Sequence, residues 1–119
     1  MEDIVRYSEA IKMYKNTGIK VKVINEICEI ARQNDVQKVY LFGSRARGDY
    51  KERSDIDIAI LGGNYTKFTL DIEERTSTLL KYDVVNMNGH VQQDLLDSIK
   101  KEGVTIYETY LFVIVNFFF

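Results

Sequence analysis

The chain has 119 residues, a formal net charge of −2 and one cysteine. That length suits a single domain able to bury a working core; one cysteine excludes an internal disulfide, and the near-neutral charge provides no global field pointing to nucleic acid. Met1 to Asp3 is acidic and no apolar run follows, so no secretory leader is expected and a reducing cytoplasm is the expected setting.

Residues 4–15 are predicted to form a short helix, which Asn16-Thr17-Gly18 ends. Lys20 to Asn34 is predicted as a longer helix, because Val23, Ile24, Ile27, Ile30 and Ala31 recur at three and four and make one apolar face. Cys28 sits among them and is expected to be buried. Lys38 to Phe42 reads as the first strand and Asp55 to Leu61 as the second, with an exposed, charged link through Asp49, Tyr50, Lys51, Glu52 and Arg53. Gly62-Gly63-Asn64 is a loop. The stretch from Thr69 to Lys81 contains an amphipathic helix, with Leu70, Ile72, Leu79 and Leu80 as its expected apolar contacts. Tyr82 to Met87 is a third strand with Asp83 near its start, and Asn88-Gly89 is a turn. His90, the only histidine, is expected at the surface. Val91 to Lys101 is a helix with Leu95, Leu96 and Ile99 inward; Gly103 stops it, and Val104 to Tyr107 is the last strand. Alternating helices and strands give an α/β (α+β) class around one small sheet.

Residues 1–108 are expected to make the one domain, and 109–119 an apolar tail. The run Tyr110 to Phe119 is too short to span a bilayer, which takes about 20 apolar residues. It carries no charge and has high β-propensity, so exposed it would be an aggregation hazard. Burial against a neighbouring chain, as an added strand pairing two copies into a homo-oligomer, is the expected use, with a helix docked on the core and an accident of the reading frame as the competing readings.

The chemistry concentrates in two adjoining stretches. Val39-Tyr40-Leu41-Phe42 runs into Gly43-Ser44-Arg45-Ala46-Arg47-Gly48, a small and basic turn. Gly43 has no Cβ and allows close approach of the backbone to a ligand. Ser44 offers a hydroxyl and an N–H, and if Ser44 to Arg47 open a short helix its free N–H groups favour an anion. Arg45 and Arg47 add positive charge. The second stretch is Ser54-Asp55-Ile56-Asp57-Ile58-Ala59-Ile60. Side chains alternate along a strand, so Asp55 and Asp57 share one face at a Cα spacing of roughly 6.5–7 Å, while the isoleucines take the other. Two like charges side by side repel. A divalent cation resolves this, and carboxylates plus substrate phosphates are the usual setting of Mg²⁺. Asp83 is a third acid in an otherwise apolar strand, costly there unless paired or metal-bound.

Gly43-Ser44, ten residues, then Asp55-Ile56-Asp57 resembles the signature of the DNA polymerase β-type nucleotidyltransferases. Within them, the chain is most similar to the minimal nucleotidyltransferases (MNT) that pair with HEPN-domain partners. The resemblance covers about Val21 to Glu108. It implies the polymerase β-like fold, a small mixed sheet with flanking helices on one side. It also implies transfer of AMP from ATP to a tyrosine of a HEPN-type ribonuclease toxin, for which the chain would be the antitoxin. By the same resemblance Asp55 and Asp57 share two Mg²⁺ ions and Asp83 holds the metal nearest the acceptor. Gly43 and Ser44 cradle the β- and γ-phosphates, and Arg47 and then Arg45 face the triphosphate or the acceptor. For each arginine an exposed solubilising charge is the competing reading. Two other functions compete with transfer to a toxin: a module that neutralises a partner by binding alone, and transfer to a small molecule. No membrane or nucleic-acid partner is indicated.

Overall fold

Four strands make one sheet in the order β3-β2-β1-β4. The computed structural model describes residues 16–109, 113–115 and 117; the predicted helix over 4–15 and the rest of the tail lie outside them. The strands are β1 (Lys38–Phe42), β2 (Ile56–Leu61), β3 (Tyr82–Asn86) and β4 (Val104–Glu108). β1 pairs antiparallel with β2 and β4, while β2 and β3 run parallel. A parallel pair needs a crossover rather than a hairpin, and a helix, α3 below, supplies it.

The helices are α1 (Val21–Gln33), α2 (Gly43–Arg47), α3 (Tyr65–Arg75) and α4 (Gln93–Glu102). α1 turns Val23, Ile24, Ile27, Ile30 and Ala31 into the interior, as its periodicity predicts. They meet Leu41, Ile56, Ile58, Ile60, Phe68, Ile72 and Ile106 in the main core. Each isoleucine fully buried there contributes about 1.5–3 kcal/mol. Cys28 is completely buried and its thiol donates to the Ile106 carbonyl at 3.1 Å, so it ties α1 to β4.

The sheet is covered on both faces, not on one. Ile56, Ile58 and Ile60 point to the main core; Ala59, between them, points the other way and packs with Phe42 of β1 and Ile99 of α4. α4 therefore closes part of the second face, and the expectation of helices on one side is corrected. The reason is the amphipathic α4 itself, whose Leu95 and Ile99 need an apolar surface.

α3 starts four residues earlier and ends six residues earlier than the stretch over 69–81 predicts. Asn64 caps it, its side chain accepting from the Lys67 N–H at 3.1 Å. Phe68 and Ile72 are its buried contacts, whereas Leu70 is exposed and Leu79 stands wholly in solvent beyond the helix end. The described tail positions 113–115 and 117 are helical, with Val115 and Phe117 exposed. No helix among the described residues is long and apolar enough to cross a membrane.

Candidate active site

The second sheet face is only partly covered by α4, and the acids lie on that face. Asp57 is paired in register with Phe42 on one side and with Asp83 on the other. Register partners share a face, so Asp57 and Asp83 point the same way from adjacent strands. Asp55 stands one residue before β2, at its entrance, and both Asp55 and Asp83 are exposed. The carboxyl of Asp57 is pushed up to about 6, first by burial and then by the charges of Asp83 and Asp55, against a smaller pull from Arg47 and Arg45. Both neighbouring acids thus act electrostatically on Asp57.

The turn before them is built to meet Asp57. β1 ends in the extended Phe42, and α2 begins at once at Gly43 with no side chain capping it. Its first N–H groups are consequently not taken by a capping side chain. Gly43 has φ +73°, and a Cβ there would come 2.3 Å from Asp57 Oδ2. Only glycine combines that backbone with that approach. Ser44 follows on the same turn, its carbonyl accepting from the Gly48 and Asp49 N–H groups at 2.8 and 3.1 Å. The backbone that would cradle a phosphate therefore sits against the central acid.

The two arginines part company. Arg47 is exposed at the end of α2, where it bonds Asp49 at 3.1 Å and Glu102 of α4 at 3.1 Å. Those hydrogen bonds, Asp49 first and Glu102 second, raise its pKa further. Its charge still reaches Asp57. Arg45 is only 2% exposed and its guanidinium is taken up by backbone carbonyls. The expectation that Arg45 faces a nucleotide is therefore corrected: side chains two residues apart on a helix point to different sides, and this one points inward. Glu102, the partner of Arg47, was not legible as part of the site, since it reads in sequence as an ordinary helix-end residue. His90 is exposed.

Among the described residues no three His, Cys, Asp or Glu side chains gather into a ready-made metal cage. The donor set nonetheless fits Mg²⁺, which is bound through one or two carboxylates together with substrate phosphates rather than by an all-protein cage. A half-buried acid with a raised pKa beside two others is the kind of site a divalent cation relieves. A surface cleft of about 710 Å³ opens beside Asp55, lined by Glu52, Arg53, Leu79, Leu80 and Lys81.

Comparison with known proteins gives this geometry its family. The model of the polymerase β nucleotidyltransferase domain matches residues 25–110. The chain belongs to the polymerase β nucleotidyltransferase family. A relative from Methanocaldococcus jannaschii, provisionally named protein adenylyltransferase MJ0604, is 48% identical over 61 residues, which are 51% of this chain and 58% of that protein. The match thus spans little more than half of that relative's length. A second protein of the same organism, MJ1215, with the same provisional name, is 34% identical over 83 residues, 59% of this chain and 95% of its own. A crystal structure of a toxin–antitoxin with AMP-PNP superposes with a TM-score of 0.61 at 24% identity, over 74% of this chain and 75% of its own. That likeness is one of fold. The family is one of nucleotidyltransferase domains, and the relatives carry an adenylyltransferase name.

Proposed function

We propose that this nucleotidyltransferase moves AMP from ATP to a tyrosine of a HEPN-type toxin, with Mg²⁺, in the cytoplasm, and so acts as the antitoxin. The observation that carries the reading is the meeting of the Gly43 turn with Asp57, and of Asp57 with Asp83, on one half-open sheet face. The adenylyltransferase names of the relatives support the reaction. The toxin–antitoxin neighbour supports the partner at the level of fold. Support for a macromolecular acceptor comes from the cleft beside Asp55, open at the surface and holding the wholly exposed Leu79.

In this reading Gly43 and Ser44 hold the β- and γ-phosphates through backbone N–H groups and the Ser44 hydroxyl. Asp55 and Asp57 hold the metal, and Asp83 the metal nearest the acceptor. Bound Mg²⁺ would supply charge neutralisation on the phosphates. The acceptor oxygen forms a bond to the α-phosphorus as the bond to pyrophosphate breaks, and Asp83 draws off the hydroxyl proton. Arg47 reaches the triphosphate by releasing Glu102. The protein's work is mainly to position and neutralise charge.

Ser44 offers a graded test of the cradle. Ser44→Ala keeps the N–H and is expected to weaken Mg²⁺–ATP binding by about 1–3 kcal/mol, the range for a hydrogen bond to a charged group. Ser44→Pro also removes the N–H and is expected to weaken it much more. Equal and negligible losses in a calorimetric titration would show that the turn holds no phosphate.

The reaction itself is tested on the product of the neighbouring reading frame, where a small helical protein with an Arg…His ribonuclease motif is expected. After incubation with this chain, ATP and Mg²⁺, mass spectrometry is expected to find an adenylyl group on one of its tyrosines. A partner that forms the complex but stays unmodified would favour the binding-only antitoxin, a reading that the open spacing of the three acids also suits. Modification of a small molecule instead would overturn the macromolecular acceptor.

A further inference from the structure

We infer that Arg45 is a positioning residue of the acidic site: its buried guanidinium hangs the backbone that carries Asp55 from the same helix that carries the phosphate turn. The inference rests on the nucleotidyltransfer reading above. Arg45 stands two residues after Gly43 on α2 and is 2% exposed. Its Nε donates to the Ser54 carbonyl at 3.0 Å, and that carbonyl belongs to the peptide unit leading into Asp55. Nη2 donates to the Glu52 carbonyl at 3.1 Å and Nη1 to the Thr17 carbonyl at 2.8 Å. The guanidinium also lies over the Tyr50 ring, 4.8 Å from its centroid. Gly18 closes the seat: it has φ +70°, and a Cβ there would come 2.8 Å from Nη1 and 2.5 Å from the Tyr50 ring.

Three chain segments that share no strand pairing therefore converge on one planar group: the stretch before α1, the link from Tyr50 to Ser54, and α2. A guanidinium presents its donors in a rigid fork, so it fixes the directions between these segments as well as their distances. A buried cation is costly unless its donors are matched. Every hydrogen-bond partner named above is a backbone carbonyl, which means the group sets the shape of the loop rather than pairing with an acid. Asp57 needs no such help, because β2 pairs on both sides of it. Asp55 lies outside the strand, and its place depends on the link that Arg45 holds.

The test compares Arg45→Lys with a core truncation far from the site, Ile106→Ala, which lowers the melting temperature without touching the link. A lysine ammonium is a single point and cannot reach Thr17, Glu52 and Ser54 together. Mg²⁺–AMP-PNP affinity, measured by calorimetry where all variants are folded, is expected to fall by about tenfold or more in Arg45→Lys, the loss typical when a partner orienting a metal ligand is removed. Hydrogen exchange of the amides over 52–55 is expected to quicken in the same variant. Ile106→Ala is expected to keep wild-type affinity and exchange over 52–55. Unchanged affinity in Arg45→Lys, or an equal loss in both variants, would overturn the inference. Should Arg45→Lys fail to fold, Tyr50→Leu removes the stacking face alone and is expected to weaken affinity by about threefold; no change there would overturn it too. A wild-type chain that binds no Mg²⁺–AMP-PNP would overturn the nucleotide reading instead, which separates the two failures.

Discussion

Asp83→Asn is expected to lower nucleotide transfer by about two to four orders of magnitude, the range for a positioned acid–base group, while leaving ATP binding and complex formation intact. The side chain is exposed, and the change is nearly isosteric, so the fold and the surface seen by a partner are preserved. What is lost is a negative oxygen beside Asp57, in register with it on the next strand. That oxygen is the one proposed to take the acceptor proton and help hold the metal nearest the acceptor. Gly43, Ser44, Asp55 and Asp57 are untouched, so the nucleotide still has its cradle. Cells expressing the toxin with either version separate the competing functions. Loss of protection with normal complex formation supports catalysis. Full protection by the Asp83→Asn protein, with no adenylyl group on the toxin, would sink the enzymatic reading.

Asp57→Asn is expected to abolish Mg²⁺-dependent nucleotide binding and at the same time to stabilise the fold. Asp57 is the acid that touches the phosphate turn, so the loss of its charge removes the central ligand. The stability effect follows from its carboxyl, raised from 3.8 to about 6 by burial, Asp83 and Asp55. Between those values the native state binds more protons than the unfolded chain, so stability falls as pH rises through the window and the penalty is complete above about 6. The Asn variant carries no such penalty. At pH 7 it is expected to exceed the wild type by about 1 kcal/mol, after allowing for solvent screening of a half-buried group, and below pH 4 the advantage vanishes. Thermal melts across that range read the difference. The wild type's Mg²⁺ affinity is expected to weaken below pH 6 as protons compete for Asp57. Equal melting curves for both proteins at pH 7, or unchanged Mg²⁺–nucleotide affinity in the variant, would count against the assignment.

Much of this architecture could be read from the residues because local pattern and global packing agree. Val39-Tyr40-Leu41-Phe42 is a short apolar run ended by the glycine turn at Gly43, so β1 lies where its pattern puts it. The apolar stripe of α1 is equally plain. α3 is harder to place, since Leu70, Leu79 and Leu80 offer apolar mass around 69–81 and outweigh the quieter signal of Asn64. The cap decides the start, and Phe68 with Ile72 decides the buried face. At the site, the pairing of the Gly43 turn with the acids is visible in sequence because its spacing is long and fixed. The burial of Arg45 is not, because carbonyl oxygens of a loop are the same whatever side chains the loop carries. The contact of Arg47 with Glu102 was hidden for a different reason: it joins residues 55 positions apart that share no periodic pattern.

The parallel register that sets Asp57 beside Asp83 has a consequence for how such a chain can change length. No turn geometry links these two acids; they meet because Ile56 to Ile60 lies alongside Tyr82 to Asn86 without a slip. The bends after α3 can gain or lose residues and still deliver β3 to the same groove. A single residue inserted between Tyr82 and Asp83 is a different event. It reverses the parity of everything after it, so that the acid faces the isoleucine core and the inserted residue takes its place opposite Asp57. Homologues with variable spacing between the two acids are thus expected to hold their insertions in the segment 76–81, and to keep the odd-or-even phase of the strand as the invariant.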